Sequence, residues 1–304
     1  MQKALAPIIA KFSSDECDFI PSFPLSRLTT FRIGGEASML ATPKDEVALL
    51  RLLSLLSDAG IPRILIGNGS NLLAPDAGYR GVVIRTSGLH QTSCSAHTIT
   101  AECGVPLSAV AATANRYGIG GFSTLAGIPA TLGGAIFMNA GAGEATIGDR
   151  VVSVRAVPAG GGEPVILGHD ECHFGYRKSI FMSRGLLILS AELTGTAEPP
   201  EQLLARTAEE IAARKRKQPL ELPSAGSVFK RPPGNYAAQL IEAAGLKGRR
   251  VGGAAVSEKH AGFIVNLGGA TAADVKALVE IIRTTVFERF GVMLEREIEY
   301  LGEV

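Results

Sequence analysis

Two serines, a glycine and a lysine lie close together in residues 224–230, Ser-Ala-Gly-Ser-Val-Phe-Lys. Pro223 precedes this segment, and Pro232 and Pro233 follow it, which predicts a short loop. A hydroxyl held at a fixed angle beside a cation can donate a proton where negative charge develops. Taken alone, the segment is weak evidence for a site, because Ser-Gly loops are most often simple turns.

Two glycine-rich segments could bind a ligand through their backbone. Residues 67–70, Gly-Asn-Gly-Ser, follow a predicted buried strand, and adjacent N–H groups in such a loop can bind an anion. A plain turn between strands explains this loop equally well. Residues 127–142 contain four glycines and Pro129, and such a stretch lets the backbone lie flat against a large planar ligand. A packed small-residue helix explains residues 135–140 but not the Gly-Ile-Pro-Ala-Thr that precedes them.

Neither segment fits a Rossmann dinucleotide site. Leu72 occupies the position of the third glycine of G-x-G-x-x-G, and no helix of useful length fits before Pro75. The chain also has no G-x-x-x-x-G-K-[ST] sequence for a P-loop. Any nucleotide would therefore bind in another way.

Arg177 and Glu297 are the charged candidates. The planar guanidinium of Arg177, in residues 176–179, could hold a carboxylate by two parallel hydrogen bonds, although a surface loop arginine is the default interpretation. In the predicted strand 292–300, Glu295, Glu297 and Glu299 share one face, which by itself indicates a solvated face.

The basic run 214–217, Arg-Lys-Arg-Lys, closes a predicted helix, where cations suit the helix dipole. A structural role is sufficient to explain it. The run is short, isolated and not interleaved with aromatic residues, so we do not expect it to bind nucleic acid.

Length and composition narrow the class of protein. The chain has 304 residues, enough for about two domains, and 46% hydrophobic with 19% charged residues is typical of soluble globular proteins. A net charge of +1 gives no global attraction to nucleic acid or to a membrane. Four cysteines without a C-x-x-C pair favour a reduced, cytoplasmic protein without a metal site. We expect a monomer with no nucleic-acid or membrane partner.

Hydrophobic periodicity and turn residues predict an α+β protein, since strand pairs and helices mix without a regular βαβ array. A linker is predicted at 195–200. The predicted helices are 1–14, 44–59, 106–117, 201–217, 235–244 and 271–290, and the predicted strands are 63–66, 81–85, 98–102, 151–157, 164–167, 186–193, 262–266 and 292–300.

Four segments in this order, 67–73, 127–142, 176–179 and 224–230, and a fifth at 294–298, resemble the UDP-N-acetylenolpyruvoylglucosamine reductase family. The resemblance runs from about Leu28 to the C-terminus. It implies a two-lobed FAD-binding fold of the vanillyl-alcohol-oxidase type, plus a C-terminal α+β substrate-binding domain. We expect the FAD-binding domain at 1–198, with lobes of about 1–86 and 87–198 and the final strand 292–304 returning to it. The substrate-binding domain is expected at 199–291.

The resemblance also implies site residues. The catalytic residues would be Arg177, Ser227 and Glu297, with Glu297 preferred to Glu295 on the family motif alone. The substrate-binding residues would be Tyr176, Arg177, Lys217, Lys230 and Gln239. The FAD-binding residues would be Arg32, Ile33, Gly34, Gly67, Asn68, Gly69, Ser70, Asn71, Leu72, Gly127, Ile128, Pro129, Ala130, Thr131, Gly133, Gly134, Asn139, Ala140 and Gly141.

The activity implied by the resemblance is NADPH-dependent, with FAD bound non-covalently. Reduced flavin would deliver hydride to C3 of a UDP-sugar enolpyruvyl substrate, UDP-N-acetylglucosamine enolpyruvate, giving UDP-N-acetylmuramate for peptidoglycan synthesis. Arg177 and Glu297 would stabilise the enolic species, with Glu297 protonated or sharing a proton, and Ser227 would protonate C2. Alternatives are an alcohol or sugar-lactone oxidase of the same fold and a non-catalytic nucleotide-binding module.

Two features locate the chain within the family. Arg231 stands where the family usually has Asn, so the hydrogen bond of that Asn is not carried over to this chain. Few residues separate Ser179 from the predicted strand at Leu186, which leaves no room for the longer substrate-covering loop of one family branch. The chain therefore resembles the shorter, second type.

Overall fold

The computed structural model of the chain describes residues 2–143 and 145–302. Within these residues, helices and strands mix along the chain, as the sequence predicts. The helices are α1 Gln2–Ile9, α2 Glu46–Asp58, α3 Leu107–Arg116, α4 Leu132–Phe137, α5 Pro200–Lys217, α6 Ala237–Ala243 and α7 Ala272–Phe290. The strands are β1 Cys17–Pro24, β2 Glu36–Pro43, β3 Arg63–Ile66, β4 Leu72–Leu73, β5 Tyr79–Arg85, β6 Thr92–Ser95, β7 Thr98–Glu102, β8 Gly141–Ala142, β9 Ala145–Thr146, β10 Val151–Pro158, β11 Val165–Gly168, β12 Leu186–Thr194, β13 Ser224–Ser227, β14 Arg250–Val251, β15 Ala254–Val256, β16 Phe263–Asn266 and β17 Glu299–Tyr300.

The chain folds into two compact units, and each is built from several chain segments. The first unit contains residues 1–22, 38–68 and 80–214, and the second contains residues 23–37, 69–79 and 215–304. The units divide the chain differently from the predicted domains. Most of α5 belongs to the first unit, whereas the C-terminal strand β17 belongs to the second.

Two sheets build the first unit. One has the order β1-β2-β5-β3, with β3 and β5 parallel, and the other has the order β11-β10-β12-β7-β6. A single core joins them, because Leu49 of α2, Ile84 of β5, Ile99 of β7 and Val154 of β10 are all fully buried in one cluster. The strands of the first sheet lie between residues 17 and 85 of the chain, and those of the second lie between residues 92 and 194.

The second unit has a four-stranded sheet in the order β13-β16-β15-β14, with α6 and α7 contributing to its core. Segments from far upstream complete this core. Phe31, Ile33 and Leu73 are buried in the same cluster, and β4 pairs in parallel with β17. The Asn266 side chain donates to the Phe31 carbonyl over 3.1 Å, which ties residues 23–37 to the sheet.

Most predicted elements are confirmed, and strands Arg63–Ile66 and Thr98–Glu102 have the predicted bounds. Strand β1 was not predicted because it contains Pro21 and Pro24. It lies at the edge of its sheet, where a missing N–H is tolerated.

Two predictions about the C-terminal half were wrong. The strand predicted at 292–300 is a strand only at Glu299–Tyr300, because its residues pair with two different partners, Phe229 and β4, rather than along one ladder. The loop predicted at 224–230 begins as strand β13, which pairs with β16. Among the described residues, no helix is both long and apolar enough to cross a membrane.

Helix α7 carries its own N-terminal cap and receives a second one from the loop before Tyr79. Thr271 and Asp274 form a capping box at its first turn. The Asp76 carboxylate accepts from the backbone N–H groups of Ala272 at 2.8 Å and Ala273 at 3.1 Å. Two further N–H groups that a helix cannot satisfy internally are therefore bonded.

We expect Asp76→Ala to lower the free energy of unfolding by about 1 kcal/mol, the usual cost of losing a cap carboxylate. Urea unfolding followed by circular dichroism measures the change. Asp58→Ala is the control, because Asp58 is an exposed residue at the end of α2. Equal effects of the two substitutions would show that the Asp76 bonds contribute nothing to stability.

Candidate active site

Within the first unit, the loop after β3 meets the second glycine-rich segment. The Asn68 amide donates to the Pro129 carbonyl over 2.7 Å. A Cβ on Gly67 would overlap the Thr131 hydroxyl, so only glycine fits at that position. The two segments therefore lie in contact, through the Asn68 side chain and through the Thr131 side chain packed against Gly67.

The segment 127–142 is not a uniform helix. Thr131 caps α4, and its hydroxyl accepts from the Gly134 N–H over 3.5 Å. Backbone bonds from Leu132 to Val105 and from Gly133 to Cys103, both 2.8 Å, hold the start of α4 against the end of β7. A Cβ on Gly133 would lie 2.8 Å from the Cys103 Cβ, so the glycine permits this close packing.

Asn139 connects this segment to the turn that carries Arg177. It is buried in a left-handed conformation with φ of 44°. Its amide donates to the Gly175 carbonyl over 2.8 Å, and its side-chain oxygen accepts from the Gly148 N–H over 2.9 Å. The Asn139 side chain therefore shapes the protein itself, and a flavin contact at this position would come from the backbone.

Arg177 is half-buried and also left-handed, with φ of 53°. Its guanidinium points at the carbonyls of Asn139, 3.5 Å away, and Gly141, 3.3 Å away, and stacks on the Tyr176 ring at 5.2 Å. The buried Ser179 hydroxyl donates to the Phe137 carbonyl over 2.6 Å. The turn is thus fixed to the end of α4, and an unfavourable conformation at a polar residue often marks a functional site.

Within the second unit, a bulge in β13 positions Ser227. Ser224 pairs with Val265 and Ser227 with Phe263, and the register shifts between them. Gly226 sits in this bulge with φ of 78°, which explains the glycine although a Cβ there would meet nothing within 4 Å. Ser227 is half-buried after the bulge.

A short antiparallel ladder places Glu297 beside the Ser227 segment. The Glu297 N–H donates to the Val228 carbonyl over 2.8 Å, and the Lys230 N–H donates to the Glu295 carbonyl over 2.9 Å. The exposed Glu295 forms an ion pair with Lys230, whereas Glu297 is half-buried. Exposure therefore distinguishes the two glutamates, which the sequence separates only through the family motif.

The upstream loops of the second unit surround this ladder. Asn71 donates from its side chain to the Glu297 carbonyl over 3.2 Å and accepts from the Glu299 N–H over 2.9 Å. The Thr30 hydroxyl donates to the Ser224 carbonyl over 2.6 Å. Thr30 was missed by the sequence analysis because a threonine beside a flavin motif carries no signal of its own.

Other predicted binding residues differ in exposure, which decides whether a ligand could contact their side chains or only their backbone. Ile33 is buried in the core of the second unit, so any ligand contact there would be made by its backbone. Arg32 is exposed with φ of 55°, and Gly69 is required because a Cβ would overlap the Leu28 carbonyl. Tyr176, Lys217 and Gln239 have exposed side chains that a ligand could reach.

The first-unit segments fit a bound flavin. Residues 67–68 contact residues 129–131, and the absence of a side chain at Gly67 is what permits this contact. Beside it, the Nε of Arg214 is buried, and none of the described residues accepts a hydrogen bond from it. Among the described residues, no cluster of His, Cys, Asp and Glu could hold a metal ion.

Comparison with known proteins identifies the family. Residues 37–168 match an FAD-binding domain, and residues 218–301 match the C-terminal domain of UDP-N-acetylenolpyruvoylglucosamine reductase. The reductase of Caldicellulosiruptor bescii is 44% identical over 94% of this chain and 91% of its own length. That of Caldanaerobacter subterraneus subsp. tengcongensis is 45% identical over 92% of each chain.

A solved structure agrees. The reductase of Thermus caldophilus is 36% identical, with a TM-score of 0.79 over 93% of this chain and 98% of the other. The predicted α+β fold with an FAD-binding domain is confirmed, as is the resemblance carried by the sequence motifs. The chain belongs to the UDP-N-acetylenolpyruvoylglucosamine reductase family of FAD-containing oxidoreductases.

Proposed function

We propose that this enzyme reduces UDP-N-acetylglucosamine enolpyruvate to UDP-N-acetylmuramate with NADPH as the electron donor and Ser227 as the proton donor. The observation that carries the assignment of roles is the ladder between residues 228–230 and 295–297. It pairs Glu297 with Val228, the residue after Ser227, so that two half-buried residues, Ser227 and Glu297, lie on neighbouring segments of backbone. NADPH consumption that depends on the enolpyruvyl substrate tests the overall reaction, and consumption unaffected by that substrate would contradict it.

FAD, when bound and reduced, supplies the hydride that is added to C3 of the enolpyruvyl double bond. Addition of hydride leaves negative charge shared between C2 and the carboxylate. Arg177 holds the substrate carboxylate through two parallel hydrogen bonds, and Glu297 stabilises the enolic oxygen by donating or sharing a proton. The Ser227 hydroxyl then gives its proton to C2, which completes the addition of one hydride and one proton.

The contacts of Arg177 support this role. Its backbone is held by the turn between Gly175 and Lys178, with bonds of 3.0 and 3.1 Å, and its guanidinium lies 3.3 and 3.5 Å from two backbone carbonyls. A carboxylate is a far better acceptor for a guanidinium than a carbonyl at 3.3–3.5 Å. A substrate carboxylate could therefore replace these two backbone carbonyls as the acceptor of the guanidinium.

The substrate's diphosphate is assigned to Lys217. This exposed lysine at the C-terminal end of α5 can meet a diphosphate as a mobile point charge. Lys230 is assigned to the enolpyruvyl end of the substrate, and this is supported by its position on the same ladder as Glu297 and by its ion pair with Glu295.

The two serines of β13 give a matched test of proton donation. We expect Ser227→Ala to slow reoxidation of reduced flavin by the enolpyruvyl substrate by ~10²–10⁴-fold, since a general acid contributes about that much. Flavin reduction by NADPH should hardly change. Ser224→Ala is the control, and stopped-flow absorbance follows both half-reactions. Equal slowing of both by Ser227→Ala, or a larger effect of Ser224→Ala, would remove Ser227 from the role.

Arg177→Lys should lower kcat/KM about 10- to 100-fold, because lysine keeps the charge but cannot make two parallel hydrogen bonds. Flavin content should stay at the wild-type level. Arg184→Lys, in the exposed loop that follows, is the control and should have no effect. Normal turnover by Arg177→Lys would make Arg177 an ordinary surface residue.

FAD should be bound without a covalent bond. Neither His nor Cys occurs in residues 31–35, 67–73 or 127–142. Cys103 packs against Gly133, but burial raises the pKa of its thiol to about 12, so it is a poor nucleophile. After acid precipitation, flavin absorbance should appear in the supernatant. A yellow pellet would contradict this, and loss of that colour in Cys103→Ser would identify the attached residue.

A further inference from the structure

Arg214 lies on the inward face of α5, one turn before the helix ends. Leu203 on this helix is fully buried, and Ile211 packs against the core of the first unit. Thr207 exchanges hydrogen bonds of 3.0 and 3.4 Å with the buried Asn115 of α3. The spacing 203, 207, 211 and 214 puts Arg214 on the same face as these anchors. Its position is therefore set by the packing of the whole helix.

The Arg214 side chain runs along the first glycine of the segment 127–142. A Cβ on Gly127 would lie 2.9 Å from the Arg214 Cδ and 3.9 Å from its Nη1. The glycine gives the guanidinium room to lie against the backbone. The neighbouring backbone at Pro129 accepts the bond from Asn68, so Arg214 and both glycine-rich segments belong to one small region of the first unit.

The Nε of the Arg214 guanidinium lacks, among the described residues, the hydrogen-bond acceptor that a buried donor needs. This atom is buried, and no described residue accepts a hydrogen bond from it. Burial lowers the pKa of Arg214 below its ordinary value, and no charge of a described residue contributes to that pKa. A buried donor without an acceptor destabilises a fold, and more so when it is charged. Such a group is explained when a ligand supplies the acceptor.

We infer that Arg214 is an FAD-binding residue whose guanidinium donates to an acceptor oxygen of the bound cofactor. Two parts of FAD offer that chemistry, the C2 carbonyl edge of the ring and the diphosphate. The residues of the basic run 214–217 then have different roles, because Arg214 points inward to the cofactor while Lys215 and Arg216 are exposed. The inference rests on the FAD site of the proposed function, which the flavin content of the wild-type protein tests separately.

The test compares full-length Arg214→Met and Arg214→Lys with wild type. FAD is removed, the protein is titrated with FAD, and flavin fluorescence gives the dissociation constant. We expect Arg214→Met to raise the Kd about 10- to 100-fold, which corresponds to one charge-assisted hydrogen bond. Arg214→Lys should recover part of the affinity if its ammonium reaches the same oxygen. Arg216→Met, in the same helical turn but exposed, is the control and should bind FAD as wild type does.

Thermal unfolding separates this role from a structural one. Without FAD, Arg214→Met should be at least as stable as wild type, because it removes a buried N–H donor that has no acceptor among the described residues. With FAD, it should gain less stability than wild type, since stabilisation by a ligand follows its affinity. An unchanged Kd, or equal destabilisation with and without FAD, would overturn the inference.

The midpoint potential of the bound flavin identifies the acceptor. Reduction places negative charge on the N1–C2 carbonyl edge of the ring. A lower potential in Arg214→Met therefore places the guanidinium at that edge. A potential equal to that of wild type, with weaker FAD binding, places it at the diphosphate.

Discussion

The backbone hydrogen bond from Glu297 to Val228 is the contact on which the proposed chemistry depends. Ser227 is the residue before Val228, so this bond of 2.8 Å sets the register between the segment that carries the hydroxyl and the segment that carries the carboxyl. If the pairing between these two segments shifted by one residue, Arg296 or Ile298 would stand opposite Val228 in place of Glu297. The bond from Asn71 to the Glu297 carbonyl holds the same residue from its other backbone group.

The glycines of the predicted site segments are also required by the structure, but for different physical reasons. Gly67, Gly69 and Gly133 are required by space, because a Cβ at each would run into a neighbouring residue. Gly226 is required by its backbone angle alone, since the space around it is open. A substitution at Gly226 would therefore strain the backbone of the β13 bulge without a steric clash. Its first effect would be on the position of Ser227, the next residue, rather than on the packing of the core.

Much of the fold follows from local patterns, and the site follows less well. Strand 98–102 and helix 272–290 were predicted almost to the residue, because alternating burial and a capping box are local signals. The predicted strand at 292–300 was wrong because its pairing depends on two partners distant in sequence. Arg214 could have been suspected from its spacing to Leu203 and Ile211, but the neighbouring cations favoured the helix-dipole interpretation.

The choice of Glu297 over Glu295 also depends on information that a local sequence pattern does not contain. Alternation along a strand puts both carboxylates on one face, so periodicity cannot separate them. What separates them is tertiary packing, which leaves Glu295 exposed beside Lys230 and makes Glu297 half-buried. Family motifs carried that information in the sequence, whereas local physical chemistry did not.

The chain crosses between the two units five times, after residues 22, 37, 68, 79 and 214. Residues 218–301 match a family domain by themselves, yet an isolated fragment of those residues would lack Phe31 and Leu73 from its core and the Asp76 cap on α7. Residues 218–301 therefore depend on upstream segments to complete their core and to cap α7. An exchange of residues 218–301 alone between two proteins would part them from these upstream residues.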